Sequence, residues 1–149
     1  MRHYETTYIL RPNLGEEQFS EVIDRTNGIV TGDNGAIIAL DRWGMKKLAY
    51  EIKKEAQGYY IYMNYAALGS TIQEIERIFR IDDRVLRYLT VKLADEIDEA
   101  GIDQEKERIA AVAAAKAAEA EKLAQQDEDA DDEDIDEDDY SDEDEDEDE

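Results

Sequence analysis

The chain has no cysteine, a single proline and a single histidine among its 149 residues. Without cysteine there is neither a disulfide framework nor a thiolate metal site, which suits a reducing compartment. No apolar run approaches the roughly 20 residues needed to cross a bilayer, so no membrane association is expected. The opening Met1-Arg2-His3-Tyr4-Glu5 lacks the charged-then-apolar pattern of a secretory signal, and a soluble, cytoplasmic protein is expected. Catalysis has little to draw on. His3 stands alone near a strand start, and no serine or threonine sits in a nucleophile elbow. Gly28, Gly32 and Gly35 match no phosphate-binding pattern. No cofactor, metal or small-molecule substrate is expected.

Charge is what the chain has in excess, and it is unevenly placed. The formal net charge is −24, yet residues 1–93 hold 13 basic and 13 acidic side chains and balance to zero. Residues 94–126 carry −5, and residues 127–149 carry −19 with no base among them. This division predicts one compact domain over 1–94, an Ala/Glu-rich helical extension over 95–126 and a disordered acidic tail over 127–149. The tail's carboxylates lack the glycine and spacing of a calcium loop, so diffuse counterion attraction is their default.

Within the domain, Arg2 to Leu10 alternates like a strand, with Tyr4, Thr6, Tyr8 and Leu10 on one side and His3, Glu5, Thr7 and Ile9 on the other. From Glu16 the spacing of Phe19, Val22 and Ile23 is helical. A turn at Gly32-Asp33-Asn34-Gly35 leads to strands over 36–43 and 58–67. Thr71 and Glu74 stand in the capping-box relation at the start of a second helix faced by Ile72, Ile75, Ile78 and Phe79. A fourth strand runs from Arg84 to Leu93. The order βαββαβ predicts a ferredoxin-like split β-α-β fold of class α+β: a four-stranded antiparallel sheet with both helices on one face. Tyr59, Ile61, Met63 and Tyr65 are assigned to the covered face and Tyr60, Tyr62 and Asn64 to the open one. On the fourth strand the alternation leaves both parities open.

The stretch Asp41-Arg42-Trp43-Gly44-Met45-Lys46-Lys47-Leu48-Ala49-Tyr50-Glu51-Ile52-Lys53-Lys54 concentrates positive charge beside aromatic rings. Arg2 opens the first strand, and Arg77, Arg80, Arg84 and Arg87 surround the junction of second helix and fourth strand. With zero net charge, any one of these cations has an acidic side chain available to it. Clustering with Trp43, Tyr60 and Tyr62 shifts the reading towards nucleic acid, because cations neutralise phosphates while rings stack on bases. Sheet-face tyrosines also suit a protein contact. The RNA-recognition-motif signature is absent.

Several segments together resemble bacterial small-subunit ribosomal protein six. They are Met1 to Glu5, Trp43 to Lys54, Gly58-Tyr59-Tyr60, and Phe79-Arg80-Ile81-Asp82-Asp83-Arg84-Val85-Leu86-Arg87, in that family's order and spacing. The resemblance covers 1–93. It implies a non-enzymatic member of the small ribosomal subunit. Such proteins bind the central domain of small-subunit ribosomal RNA together with ribosomal protein eighteen and help assemble the platform. On that basis Arg2, Arg80, Arg87 and Lys92 are expected at phosphates, with Tyr60 and Tyr62 as contact aromatics. Trp43, Lys46, Lys47, Leu48, Tyr50, Lys53 and Lys54 are expected at the protein partner, the RNA or both. Family domains usually end soon after the fourth strand, so the acidic extension lies outside the carry-over.

Two other classes are weighed. An acidic interaction protein, or chaperone for basic partners, would work through the tail. An acylphosphatase-like enzyme on the same fold would need a phosphate-cradling loop after the first strand, and Arg11-Pro12-Asn13-Leu14-Gly15 is a poor candidate. In a ribosomal protein the tail is expected to compete with non-cognate RNA for the basic patches, weakly, since screening acts over about 8 Å at physiological salt.

Overall fold

The computed structural model describes residues 1–131, with side chains through Gln125. Strand β1 (Arg2–Leu10) leads to helix α1 (Glu16–Gly32), then β2 (Ala36–Ile52) and β3 (Glu55–Ala67). Helix α2 (Gly69–Ile81), β4 (Val85–Ala94) and helix α3 (Glu99–Asp131) complete the described chain. The four strands form one sheet in the order β2-β3-β1-β4, every neighbouring pair antiparallel. This is the expected split β-α-β architecture. One compact unit covers Met1–Ala110 and a second begins at Ala111. In the latter, α3 exposes every side chain from Ala111 to Gln125, as its alanine-rich, apolar-poor composition dictates. The helix continues to Asp131, into the segment expected to lack structure. The rest of the tail, from residue 132, lies outside the described residues.

The covered face of the sheet follows from strand alternation. Tyr4, Tyr8 and Leu10 of β1 and Ile61, Met63 and Tyr65 of β3 are buried against Phe19, Val22 and Ile23 of α1 and Ile75 and Phe79 of α2. Each such side chain contributes roughly 1.5–3 kcal/mol by leaving water. Aromatic pairs tie the layers: Phe19 stacks on Tyr59 at 4.1 Å between centroids, and Tyr8 meets Phe79 at 4.8 Å. The buried Thr6 of this face is satisfied, since its Oγ1 lies 2.8 Å from the Tyr65 hydroxyl and 3.0 Å from Thr90 Oγ1.

Three local expectations are corrected. The capping box at Thr71 and Glu74 does not form. Helix α2 is capped at Leu68 with no side-chain bond, while the Thr71 hydroxyl donates to Asp33 Oδ2 at 2.9 Å and Glu74 accepts from Arg77. Strand β2 does not stop at Trp43 but runs to Ile52, and β3 begins at Glu55, so the supposed connection is a long hairpin arm. Asn64 is buried rather than open, with its Oδ1 2.6 Å from His3 Nε2.

The turn between α2 and β4 explains part of the Phe79-to-Arg87 motif in structural terms. Asp82 Oδ1 accepts from the Arg84 backbone N–H and from Arg84 Nε, both at 3.0 Å, and Oδ2 accepts from the guanidinium at 2.9 Å. Arg11 reaches the same turn, its N–H donating to Arg84 O at 2.9 Å and its Nε to Asp83 O at 2.6 Å. The Arg11 guanidinium is therefore engaged in holding this turn, where a phosphate-cradling enzyme would need it free.

Arg84 holds the Asp82 carboxyl below the usual carboxylate range, chiefly through these side-chain hydrogen bonds. A carboxylate whose folded pKa is depressed stabilises the fold above its unfolded value and loses that contribution as pH falls through the folded one. Asp82→Asn is expected to cost about 1–3 kcal/mol at neutral pH. It should also remove part of the stability loss below roughly pH 4. Urea unfolding midpoints from pH 7 to pH 2 test both effects.

Candidate nucleic-acid interface

The open face of the sheet is shaped by mismatches in the β2–β3 ladder. Between Arg42, paired with Ile61, and Gly44, paired with Tyr60, Trp43 is an extra residue, and Gly44 takes φ +82° to accommodate it. Trp43 is thereby turned onto the open face. It lies parallel to Tyr62 at 5.5 Å and 4°, and stacks on Tyr60 at 6.5 Å. Lys46 Nζ sits 5.1 Å from the Trp43 ring centroid, within cation–π range. Arg42 serves the other face, its guanidinium 5.5 Å over Tyr59 and 2.5 Å from Glu16 Oε1.

A larger mismatch follows. Lys47 pairs with Gln57 and Ile52 with Glu55, so the whole stretch 48–51 stands opposite Ala56 alone. The surplus chain folds over the sheet, and Leu48 is buried against Ile9 and Leu86, with Ile52 and Tyr60 packed alongside. Gly58 allows this approach: a Cβ there would lie 2.3 Å from Ile9 Cγ2. Leu86 reaches the open face because it is itself a bulge. Leu10 pairs with Val85 and Ile9 with Arg87, leaving Leu86 between them. This settles the parity of β4, with Arg87, Leu89 and Val91 opposite Ile9, Thr7 and Glu5 on the open face.

Between the folded arm and β4 lies a groove of about 370 Å³, lined by Thr7, Ile9, Leu48, Tyr50, Tyr60, Arg87 and Leu89 among others. Arg87 donates to the Tyr50 hydroxyl across it. At the arm's tip Lys53 (φ 48°) and Lys54 (φ 67°) form a two-residue turn with both centres left-handed, and Lys53 Nζ donates to Val85 O at 3.3 Å.

The opposite end of the open face is closed by the first turns of α3. The Ile97 N–H donates to Met1 O at 2.8 Å, and Ile102, Glu105 and Ile109 are half-buried at helical spacing. Arg108 above all, with His3 and the Asn64 amide, holds the Glu105 carboxyl below its ordinary range. Tyr62 donates to Glu5 Oε2 at 2.8 Å, and burial together with that carboxylate pushes its hydroxyl up to about 12.

The predicted residues separate accordingly. Trp43, Lys46, Tyr60 and Tyr62 form one stack; Leu48, Tyr50, Tyr60 and Arg87 form the groove, with Lys53 beside it. Lys47 and Lys54 are exposed on the arm. Arg2 lies at the far end of β1, about 23 Å of extended chain from Ile9, against the start of α2. Lys92 is opposite Tyr4 and pairs with Asp95 at 2.5 Å. Arg80 is exposed on α2, without an ion pair among the described residues. The three arginines do not converge. Ile9, Thr7 and Glu105 escaped sequence reasoning: the first two read as ordinary strand positions, and Glu105 as one acid among many. Among the described residues no cluster of three or more His, Asp or Glu is placed to hold a metal, and no helix is long and apolar enough to cross a membrane.

Comparison with known proteins bears on the family and the fold. The model of the family described as Ribosomal protein S6 matches residues 3–92. Small ribosomal subunit protein bS6 of Oleidesulfovibrio alaskensis is 41% identical over 100 residues, which cover 67% of this chain and 99% of that protein. The protein of the same name from Desulfatibacillum aliphaticivorans is 44% identical over 110 residues, and the match spans 74% of this chain but 58% of that protein's length. That from Desulfitobacterium hafniense is 42% identical over 95 residues, 64% of this chain and all of its own. The crystal structure of 30S ribosomal protein S6 from Thermotoga maritima superposes with a TM-score of 0.59 at 32% identity, covering 74% of this chain and 96% of that one.

The arm's tip yields a direct test. Left-handed backbone costs a non-glycine residue of order 1–2 kcal/mol. Replacing Lys53-Lys54 by Asn-Gly is expected to stabilise the fold by about 1–2 kcal/mol, read as a higher urea midpoint with unchanged slope.

Proposed function

The chain belongs to the ribosomal protein S6 family, and from that premise we propose that it is a structural constituent of the small ribosomal subunit that binds the central domain of small-subunit ribosomal RNA. It does so together with ribosomal protein eighteen and helps assemble the platform. Its place is the ribosome, in the cytoplasm, and it catalyses nothing. The observation that carries this is the arm. Over Trp43–Lys54 the chain exposes four lysines and two aromatic rings on a sheet face that its own helices α1 and α2 leave uncovered.

Residues 1–94 do the binding in this reading. A relative matched over its whole length in 95 residues supports a domain that works without an acidic extension. Arg2, Arg80, Arg87 and Lys92 contact RNA phosphates, with Tyr60 and Tyr62 as contact aromatics. Because the arginines lie on different faces, the RNA wraps the domain rather than meeting one flat patch. Trp43, Lys46, Lys47, Leu48, Tyr50, Lys53 and Lys54 meet the protein partner, the RNA or both. The tail of −19 competes with non-cognate RNA for these cations at low salt.

Sedimentation of reconstituted small subunits tests the reading. Full-length protein and residues 1–94 should both join the subunit in the presence of ribosomal protein eighteen. Failure of the full-length chain to do so would contradict it. Deleting residues 127–149 should raise non-specific RNA affinity at low salt, and an unchanged affinity would remove the competing role of the tail.

A further inference from the structure

The groove under the hairpin arm is not explained by packing alone. Its floor is the buried trio Ile9, Leu48 and Leu86, yet Tyr50 and Leu89 at its rim are 61% and 64% exposed, large apolar surfaces left in water. Its volume of about 370 Å³ lies within the range of small-ligand sites, roughly 300–1,000 Å³. Arg87 is the one charged residue lining it, and no carboxylate does. The Tyr50 hydroxyl engages a single guanidinium nitrogen of Arg87, leaving the other donors available. Lys53 reaches the neighbouring backbone at Val85 O.

We propose that this groove is a nucleobase pocket: an unpaired base of the bound RNA enters it and stacks on the Tyr50 ring, with the flanking phosphates at Arg87 and Lys53. This rests on the reading that the chain binds ribosomal RNA, and it names the chemical form of the RNA recognised. Charge selects the occupant. The pocket opens beside Arg87, Lys53 and Lys54, while residues 95–110, which begin the extension and close the other end of the sheet face, carry seven acids against two bases. Phosphates are therefore drawn to the groove end of the face and turned away from the other. Ring surface and aliphatic floor suit the faces of a base, and the hydroxyl of Thr7 offers a hydrogen bond to its edge. A fully paired helix hides its bases in the stack and presents none to such a groove.

The test uses the full chain and an RNA hairpin with one bulged 2-aminopurine, beside the same hairpin fully paired. The bulged form should bind about tenfold more tightly, with its fluorescence quenched on binding. Tyr50→Ala, at an exposed position, should lose that preference, whereas Tyr50→Phe should keep both preference and quenching because the ring remains. Equal affinity for the two hairpins, or unaltered quenching in Tyr50→Ala, would overturn the pocket. So would a Tyr50→Ala effect confined to the affinity for ribosomal protein eighteen, which would assign the groove to a protein side chain. Binding of the unaltered chain to a central-domain RNA fragment is measured in parallel. Its absence refutes the wider reading, while its presence with a failed hairpin preference refutes the pocket alone.

Discussion

The unequal lengths of β2 and β3 across their shared ladder shape the open face of the sheet. A strand pair in perfect register would run flat to its turn and leave that face bare. Here the extra residue at Trp43 turns an indole onto Tyr60 and Tyr62, and the surplus at 48–51 bends the arm until Leu48 meets Ile9 and Leu86. Bulges increase twist and re-aim side chains, and they are over-represented beside functional sites. The bulge at Leu86 on β4 answers those on β2, because it adds a second apolar side chain beside Ile9 beneath Leu48. Two edge strands thus cooperate to build a second, smaller core on the face opposite the main one.

A domain of zero net charge can still gather exposed cations on one arm. Several acids of 1–93 are committed elsewhere. Glu16 and Glu21 meet Arg42 and Arg84, Glu74 meets Arg77, Asp82 holds a turn and Glu5 accepts from Tyr62. The lysines of the arm have no carboxylate partner among the described residues. Exposed ion pairs contribute little to stability. Their effect here is to sort charge, leaving the four lysines of the arm unmatched among the described residues.

Much of this was legible in residues alone, and the exceptions have identifiable causes. Alternation placed Tyr59, Ile61, Met63 and Tyr65 in the core because β3 is regular from Gly58 to Ala67. It gave no parity for β4, since the bulge at Leu86 breaks the period-two pattern that such reasoning uses. The arm read as a loop because Gly44 and the paired lysines carry turn chemistry, which is real but sits inside a ladder. Thr71 and Glu74 fit a capping box by spacing, and lost it to a tertiary partner, Asp33, that no local pattern reveals. Asn64 looked open by parity. It is covered through His3 and the first turns of α3, a contact between residues far apart in sequence.

Hydrogen–deuterium exchange on the free protein and on the protein within assembled small subunits tests the central claim, that the arm and the open sheet face are what the ribosome engages. Protection should rise over Trp43–Lys54 and over Arg87–Leu89 of the neighbouring strand on assembly, while the outer surface of α1 stays as it was. New protection confined to α1 and α2, with the arm exchanging as fast as in free protein, would contradict the account.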